Sequence, residues 1–572
     1  MVKKLLLSSA ALALVACVSA KSDVAIRLNQ VGYFPNEEKV VVIEGINPAG
    51  KIQVRNRQGK TVLKPRNIRQ AQSPWGDKTR YVVDISDLKK EGDYEVCVAG
   101  AKAPLRIARH ALHDISVASL KLFYLIRSGV PIESQYAGPY ARPLGHADTQ
   151  VLVHPSAASE SRPEGTVISS PLGWYDAGDY NKYVVNSAFS IGLMLSVYEE
   201  NKAYFDRLQT NIPESKNQTA DFLDEMMFNM LWLLTMQDPD DGGVYHKLTT
   251  PNFEGFVMPK DCHQPRYVVA KSVTATLDFA AVMAQMARLM KGNADYPDFS
   301  AKAAEAAERA YLWALVHPDA FYRQADMNKQ FQPAVNTGEY GDGNATDERF
   351  WAATELYKLT GKTVYKQDAL RLMPSDFLVP SWGNVSGLGM LSWLSAGDAV
   401  QADKVRQALQ ACCDAYVKDT DQSCFQAPYG NHAHDFGWGH LSERCCGMGI
   451  ALLFADQYVA KGKYRRYALE NIDCLLGRNA LGYCYVTGFG QKSPMHPHHR
   501  PSAADGIDAP FPGMLVGGPN PGQQDKGSNL VYPSSLPDES YVDHADSYAS
   551  NEIAINWNAA LVGLLCWVDA TE

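Results

Sequence analysis

A surplus of basic charge is missing from this 572-residue chain: 54 Lys and Arg stand against 63 Asp and Glu, a formal net charge of −9. Nucleic-acid binding needs a clustered cationic footprint, so no nucleic-acid partner is expected. Long apolar runs are also missing, since nothing beyond the first 20 or so residues could cross a bilayer. No CxxC pair occurs among the 11 cysteines. Cys412-Cys413 and Cys445-Cys446 are vicinal pairs in helix-like sequence, and no spacing demands a disulfide. Most cysteines are expected as buried small apolar side chains. No Ser/Pro/Gly-rich linker or third module is visible either.

What is present is an ordinary globular composition, 46% hydrophobic and 20% charged, with 29 Tyr and 10 Trp. The length calls for at least two domains. Most of the aromatic rings belong to cores, and some are available for stacking on sugar faces. Residues 1–20 read as an export signal: Lys3 and Lys4, a short apolar run, then small residues. Val18-Ser19-Ala20 suits ordinary cleavage after Ala20. Leu14-Val15-Ala16-Cys17 instead resembles a bacterial lipobox, with Cys17 as the lipidated first mature residue. Either route predicts a periplasmic, outer-membrane or secreted protein, and a monomer is expected.

Residues 22–108 carry short β-branched runs separated by turn signals, such as Lys39 to Ile43, and Thr61-Val62-Leu63 after Arg57-Gln58-Gly59-Lys60. That pattern predicts a small β-sandwich. From residue 110 to 572 the apolar spacing changes to three and four. Helices are predicted over 117–128, 187–205, 219–237, 273–291, 299–316, 347–360, 403–419, 440–459, 463–477 and 549–568. Ten or more helices make a large all-α domain whose loops gather at one end. The longest irregular stretches, 129–172 and 480–547, are expected to be functional.

Reactive side chains concentrate in four places. Gly173-Trp174-Tyr175-Asp176-Ala177-Gly178-Asp179-Tyr180 sets two acids three residues apart among aromatics. One Asp would suffice to cap a turn or helix; here there are two. His496-Pro497-His498-His499-Arg500 and Asp543-His544-Ala545-Asp546 invite a zinc reading. The clusters are far apart in sequence, however, and Arg500 adjoins the proposed ligands, where it would repel a dication. Glu552, in the Asn551–Asn558 stretch read as starting the last helix, is either an acid favouring the helix dipole or a carboxyl in an apolar setting. In the second case its pKa rises and it becomes a general acid.

These motifs resemble those of glycoside hydrolase family 9, the cellulase family with inverting chemistry. Gly173–Tyr180 resembles its base-bearing loop. Gly490-x-Lys492 followed by His498-x-Arg500 resembles its first active-site signature. Tyr541-x-Asp543, Tyr548, Glu552-x-Ala554 and Asn558-Ala559 fit its second. Arg27-Leu28-Asn29-Gln30-Val31-Gly32-Tyr33 resembles the start of the immunoglobulin-like domain that many members carry. The resemblance implies an (α/α)6 barrel behind an immunoglobulin-like β-sandwich. It also implies Asp179 as general base, Asp176 as the holder of the attacking water, and Glu552 as general acid. His498, Arg500, Trp438 and Tyr548 would bind the sugar, and Asp543 would support them. Base and acid carboxyls of inverting enzymes stand roughly 6.5–9.5 Å apart.

Two departures bear on metals and substrate. Gly145, His146 and His154 lie where some relatives bind zinc, but no Cys is near them in sequence. Asp342 to Glu348 resembles a family calcium loop, with Asp347 and Glu348 as ligands of a structural ion; acids starting a helix explain the same residues. No cofactor is expected to take part in the chemistry. Trp438-Gly439-His440-Leu441 differs from the Trp-Gly-Ser-Asn often found in family cellulases. The expected activity is hydrolysis of β-1,4-glucans or cello-oligosaccharides, exo-acting if the 129–172 loop closes one end of the cleft. The alternatives are an exo-β-D-glucosaminidase on chitosan oligosaccharides, a non-catalytic glycan-binding protein and a metallohydrolase using His496, His498 and His499.

Overall fold

The computed structural model describes residues 24–527 and 529–572. The export signal and Cys17 lie outside the described residues.

The N-terminal segment forms two four-stranded sheets. One pairs Ala25–Arg27, Val40–Glu44, Thr79–Asp84 and Ile68–Gln72 in that order, and the other pairs Thr61–Leu63, Gln53–Asn56, Gly92–Val98 and Ala101–Ile107. Side chains of a strand alternate between faces. Val41 and Ile43 therefore enter the sandwich core with Val54, Val83 and Val96. Val40 and Val42 point the other way, against Phe425 and Ala480 of the helical domain. That double burial is why the strand is an unbroken β-branched run instead of an alternating one.

The interface between the domains is polar as well as apolar. Asn29 Nδ2 donates to Asp473 Oδ1 at 2.8 Å. The Gln30 amide donates to Gly482 O and accepts from the backbone N–H groups of Gln491 and Lys492. Buried Arg80 pairs with Glu44 and lies 4.4 Å from the Phe425 ring centre.

Beyond residue 110 the chain forms twelve α-helices of eight or more residues among those described. All ten helices expected from spacing occur; Thr363–Leu372 and Ser386–Trp393 are additional. The inner helices Val184–Glu200, Val273–Leu289, Thr346–Thr360 and Ser386–Trp393 pack on one another in sequence order. Ile555–Ala570 packs back on Val184–Glu200 and closes the ring. The twelve helices make an (α/α)6 barrel. A helix buried on all sides needs no polar face, and Ile555–Ala570 is buried along almost its whole length.

A small five-stranded sheet lies at the loop end of the barrel, in the order Val167–Ile168, Val151–Val153, Tyr267–Val268, Lys247–Thr249, Lys182–Tyr183. It ties the 129–172 segment to the two-residue strand that follows Asp179. The ten described cysteines are all free thiols, and eight of them are buried.

Candidate active site

The acidic turn is held from behind. Ser128 N donates to Gly173 O at 2.8 Å and Tyr175 N donates to Ile126 O at 3.0 Å. Trp174 is fully buried and its Nε1 donates to Glu225. Tyr175 and Tyr180 pack edge to face with ring centres 4.8 Å apart, and Tyr180 donates to Val257 O. These rings therefore pack the turn. Tyr183 is the aromatic of this stretch that lines the cavity.

Asp176 and Asp179 both face that cavity, and both are nearly buried. Asp176 accepts from Asn186 Nδ2 on Oδ1 at 2.8 Å and from the Tyr340 hydroxyl on Oδ2 at 2.7 Å. Burial, and then the charge of Asp179, push its pKa up to about 8. Asp179 accepts from Asn181 Nδ2 at 2.7 Å and from Tyr183 OH at 3.0 Å, both on Oδ2. Its Oδ1 receives no hydrogen bond from the described residues, which leaves it open to a water.

Glu552 is not on a helix, which corrects the sequence reading. The chain makes one helical turn over Tyr548–Asn551, then runs extended before Ile555–Ala570 begins. The extended piece is held by bridges between His498 and Glu552, Val516 and Ile553, and Ala177 and Ala554. No helix N-terminus lies at Glu552, so the dipole explanation fails. Burial, and then the Asp179 charge, raise its pKa well above the usual carboxyl range.

The Gly178 N–H donates to Glu552 Oε1 at 3.3 Å, joining the two motifs. A Cβ on Gly178 would stand 2.3 Å from His498 O and 3.1 Å from Glu552 Oε1. The Ala177-Gly178 step is crowded: glycine is there because two other segments approach it.

The outer residues divide into cavity walls and supports. Trp438 lines the cavity, is 45% exposed, and stacks at a tilt on Tyr548 with ring centres 5.2 Å apart. Asp543 accepts from the backbone of Met495 and His496 and from Asn551 Nδ2, clamping the histidine loop beside Glu552. His498 Nδ1 lies 2.6 Å from Ala545 O, and burial lowers its pKa. Arg500 donates from Nη1 to Gly178 O and from Nε to Glu254 O. Its first task is to hold the acidic turn.

The cavity is about 590 Å³. Sequence reasoning missed several of its walls: Tyr340, Trp382, Phe253, Asn556 and Trp557. It also missed Lys247, which is buried behind the base with its Nζ 5.5 Å from the Tyr183 ring centre. Burial lowers the Lys247 pKa to about 7, against the pull of Asp179. Contacts distant in sequence create these roles, and a lone Lys or Tyr in a strand pattern carries no signal of them. No residue of the 129–172 segment lines the cavity. Two short strands of that segment, Val151–Val153 and Val167–Ile168, pair into the small sheet.

Among the described residues no three His, Cys, Asp or Glu side chains form a metal-ligand set. His499 is buried against Ser502 and Phe511 while His496 is exposed, so the histidine run does not converge. This overturns the metallohydrolase reading. The calcium candidates differ. Among the described residues, both carboxyl oxygens of Asp278 and of Glu348, and Oδ2 of Asp342, are buried without a hydrogen-bond partner. Burial and the charges of their neighbours, Asp347 included, raise Asp278 and Glu348 well above the usual range. These are hard oxygens of the kind calcium takes, but as they stand no three of these carboxyl groups form a ligand set.

Residues 113–565 match the family model Glycosyl hydrolase family 9, and residues 21–103 match Cellulase N-terminal ig-like domain. The chain is 53% identical over 570 residues to Xyloglucan-specific endo-beta-1,4-glucanase BoGH9A of Bacteroides ovatus, covering 97% of this chain and 96% of that protein. It is 32% identical over 558 residues to Endoglucanase D of Acetivibrio thermocellus, covering 94% and 82%. The solved structure "Bacteroides ovatus GH9" superposes with a TM-score of 0.92 at 52% identity, covering 96% of this chain and 99% of that one.

Proposed function

Since this chain belongs to glycosyl hydrolase family 9 and hydrolyses β-1,4-glucans, we propose that its preferred substrate is xyloglucan, cut internally and with inversion at the anomeric carbon. The observation that carries the chemistry is the single cavity into which Asp176, Asp179 and Glu552 converge. The likeness to a xyloglucan-specific enzyme along nearly the whole chain supports the substrate.

In this reading burial, and then the Asp179 charge, raise the Asp176 pKa to about 8, so Asp176 holds the water while Asp179 is the base. Asp179 Oδ1 takes a proton from a water that Asp176 helps to hold. Glu552, kept protonated by burial and by Asp179, gives its proton to the departing glycosidic oxygen. Tyr183 and Tyr340 fix the two aspartates by holding their other oxygens. His498, Trp438 and Tyr548 would meet the sugars, with Asp543 behind them.

The test is a comparison of kcat/KM on xyloglucan, unbranched cello-oligosaccharides and chitosan oligosaccharides, with the product anomer followed by NMR. Xyloglucan leads and the α-anomer forms first. A glucosamine preference would restore the glucosaminidase alternative, and a first-formed β-anomer would overturn the water-activating role of Asp179.

We also propose that Asp347 and Glu348, with the unpartnered oxygens of Asp278 and Asp342, draw together around a structural calcium ion away from the reacting atoms. The protein is further proposed to be an exported monomer anchored through lipidated Cys17. Absence of lipid label from the exported wild type, or its retention in Cys17→Ser, would remove the anchor.

A further inference from the structure

A second cavity, of about 220 Å³, opens off the cleft. Trp382, Trp438 and Trp557 belong to both, so the three rings form the doorway between them. Beyond the doorway the walls are Ser381 and Gly383 on one side and Ser442 and Glu443 on the other. The space is too small for a strand of linked sugars and suits a single ring.

Its construction is particular. Ser381 to Asn384 is a tight turn closed by reciprocal backbone hydrogen bonds of 2.9 and 3.1 Å. Ser442 and Glu443 sit on a π-helical segment, Leu441–Gly447, that leads into Met448–Tyr458. π-turns are uncommon and concentrate at functional sites. Gly439, at φ +73, lets the backbone beside Trp438 approach the Trp557 ring, since a Cβ there would lie 2.5 Å from it. The Glu443 carboxylate is half-buried at the recess and makes no ion pair among the described residues.

An unbranched glucan lies along a cleft and has no group to send sideways. A branched glucan carries single sugar rings that project laterally from the backbone. A recess with aromatic faces at its mouth, and hydroxyls and a carboxylate within, matches a neutral pyranose: apolar ring faces against the indoles, hydroxyl donors to Glu443. We propose that this recess is a branch pocket, receiving one side-chain sugar of the glucan while the backbone occupies the cleft. The inference rests on the branched-substrate reading above and names the part of the molecule that produces the preference.

Gly383 offers a clean probe. A Cβ built there meets nothing within 4 Å, and its φ is not in the left-handed region, so Gly383→Leu adds bulk at the wall of the recess without straining the turn. For this variant kcat/KM on xyloglucan is expected to fall about tenfold or more relative to that on cellohexaose, the scale of filling or emptying a sugar-sized contact. Glu443→Ala, which removes hydrogen bonds and adds no bulk, should raise KM for xyloglucan more than for cellohexaose. Equal losses on both substrates would make the recess part of the backbone track, and an unchanged ratio in both variants would make it irrelevant to branches. Either result overturns the branch pocket while leaving the family activity intact. A wild-type enzyme that cleaves cellohexaose but not xyloglucan would overturn the substrate reading itself, and the pocket with it.

Discussion

Glu552→Gln tests the acid role with little disturbance to the fold. The amide has the size of the carboxyl, and its Oε1 can still accept the Gly178 N–H now 3.3 Å away. What disappears is one proton. General acid catalysis is worth about 10²–10⁴ in rate, or about 3–5 kcal/mol of activation free energy. Loss of kcat on xyloglucan should lie in that range, with KM nearly unchanged because the ground-state contacts remain. An aryl cello-oligosaccharide with a dinitrophenolate leaving group supplies the internal control. Its leaving group departs without a proton, so the variant should keep within about tenfold of wild-type turnover on it, given the size of a general-acid term. The assay is a pair of steady-state measurements on the two substrates, with the release of dinitrophenolate read directly. Equal losses on both would show that the substitution broke the site rather than removed an acid. Undiminished cleavage of the polysaccharide would refute the assignment outright.

Gly178→Ala should reduce kcat on every glucan by more than about a hundredfold, the cost of misplacing reacting groups, because its Cβ would strike His498 O at 2.3 Å; near-normal activity would show that the backbone there can yield. Adding calcium to chelator-treated protein should raise Tm, by about 2.7 kcal/mol of stability at a hundredfold excess over Kd, and Glu348→Gln should abolish that rise without changing the anomer formed; a calcium-indifferent melting curve would remove the ion. Glu470 is buried with both oxygens unpartnered, and burial raises its pKa to about 8. The folded state therefore holds a proton that the unfolded chain, with a pKa near 4.5, releases: this contribution is fully present below about 4.5, erodes as pH rises, and has cost about 3 kcal/mol by pH 7. Glu470→Gln should flatten the fall in denaturant-measured stability between pH 5 and 8, and parallel curves for the two proteins would show that the group stays ionised when folded.

The readable parts of the sequence were those with a period or a motif. Val273–Leu289 shows its helix through spacing, and the two aspartates, Glu552 and the histidine run show the site through fixed intervals. Ser386–Trp393 escaped because it is buried on all sides and has no polar face to set a period. Its glycines look like breakers, yet a Cβ at Gly387 would meet Leu378 O at 2.4 Å and one at Gly389 would meet Phe350 at 2.6 Å. The small sheet escaped because two- and three-residue strands leave no alternation to count. The extended step at Glu552 escaped because Ile553-Ala554-Ile555 is equally compatible with a buried helix, and long-range bridges alone decide against it. Tyr340, Lys247 and the recess behind Trp438 come from segments far apart in the chain. Their roles arise when the barrel closes.

The Asn29 and Gln30 contacts make the sandwich more than an attached module. Gln30 holds the backbone of Gly482, Gln491 and Lys492, and the same loop continues to His498. Val40 and Val42 cover Phe425 and Ala480, which would otherwise meet water. The boundary near residue 109 therefore separates two architectures without separating two cooperative units. Cutting the chain there would leave a barrel with an exposed apolar flank and a 482–492 loop without its Gln30 hydrogen bonds. A different sandwich in this place would have to supply the same cover for Phe425 and Ala480 and the same hydrogen bonds to the 482–492 loop.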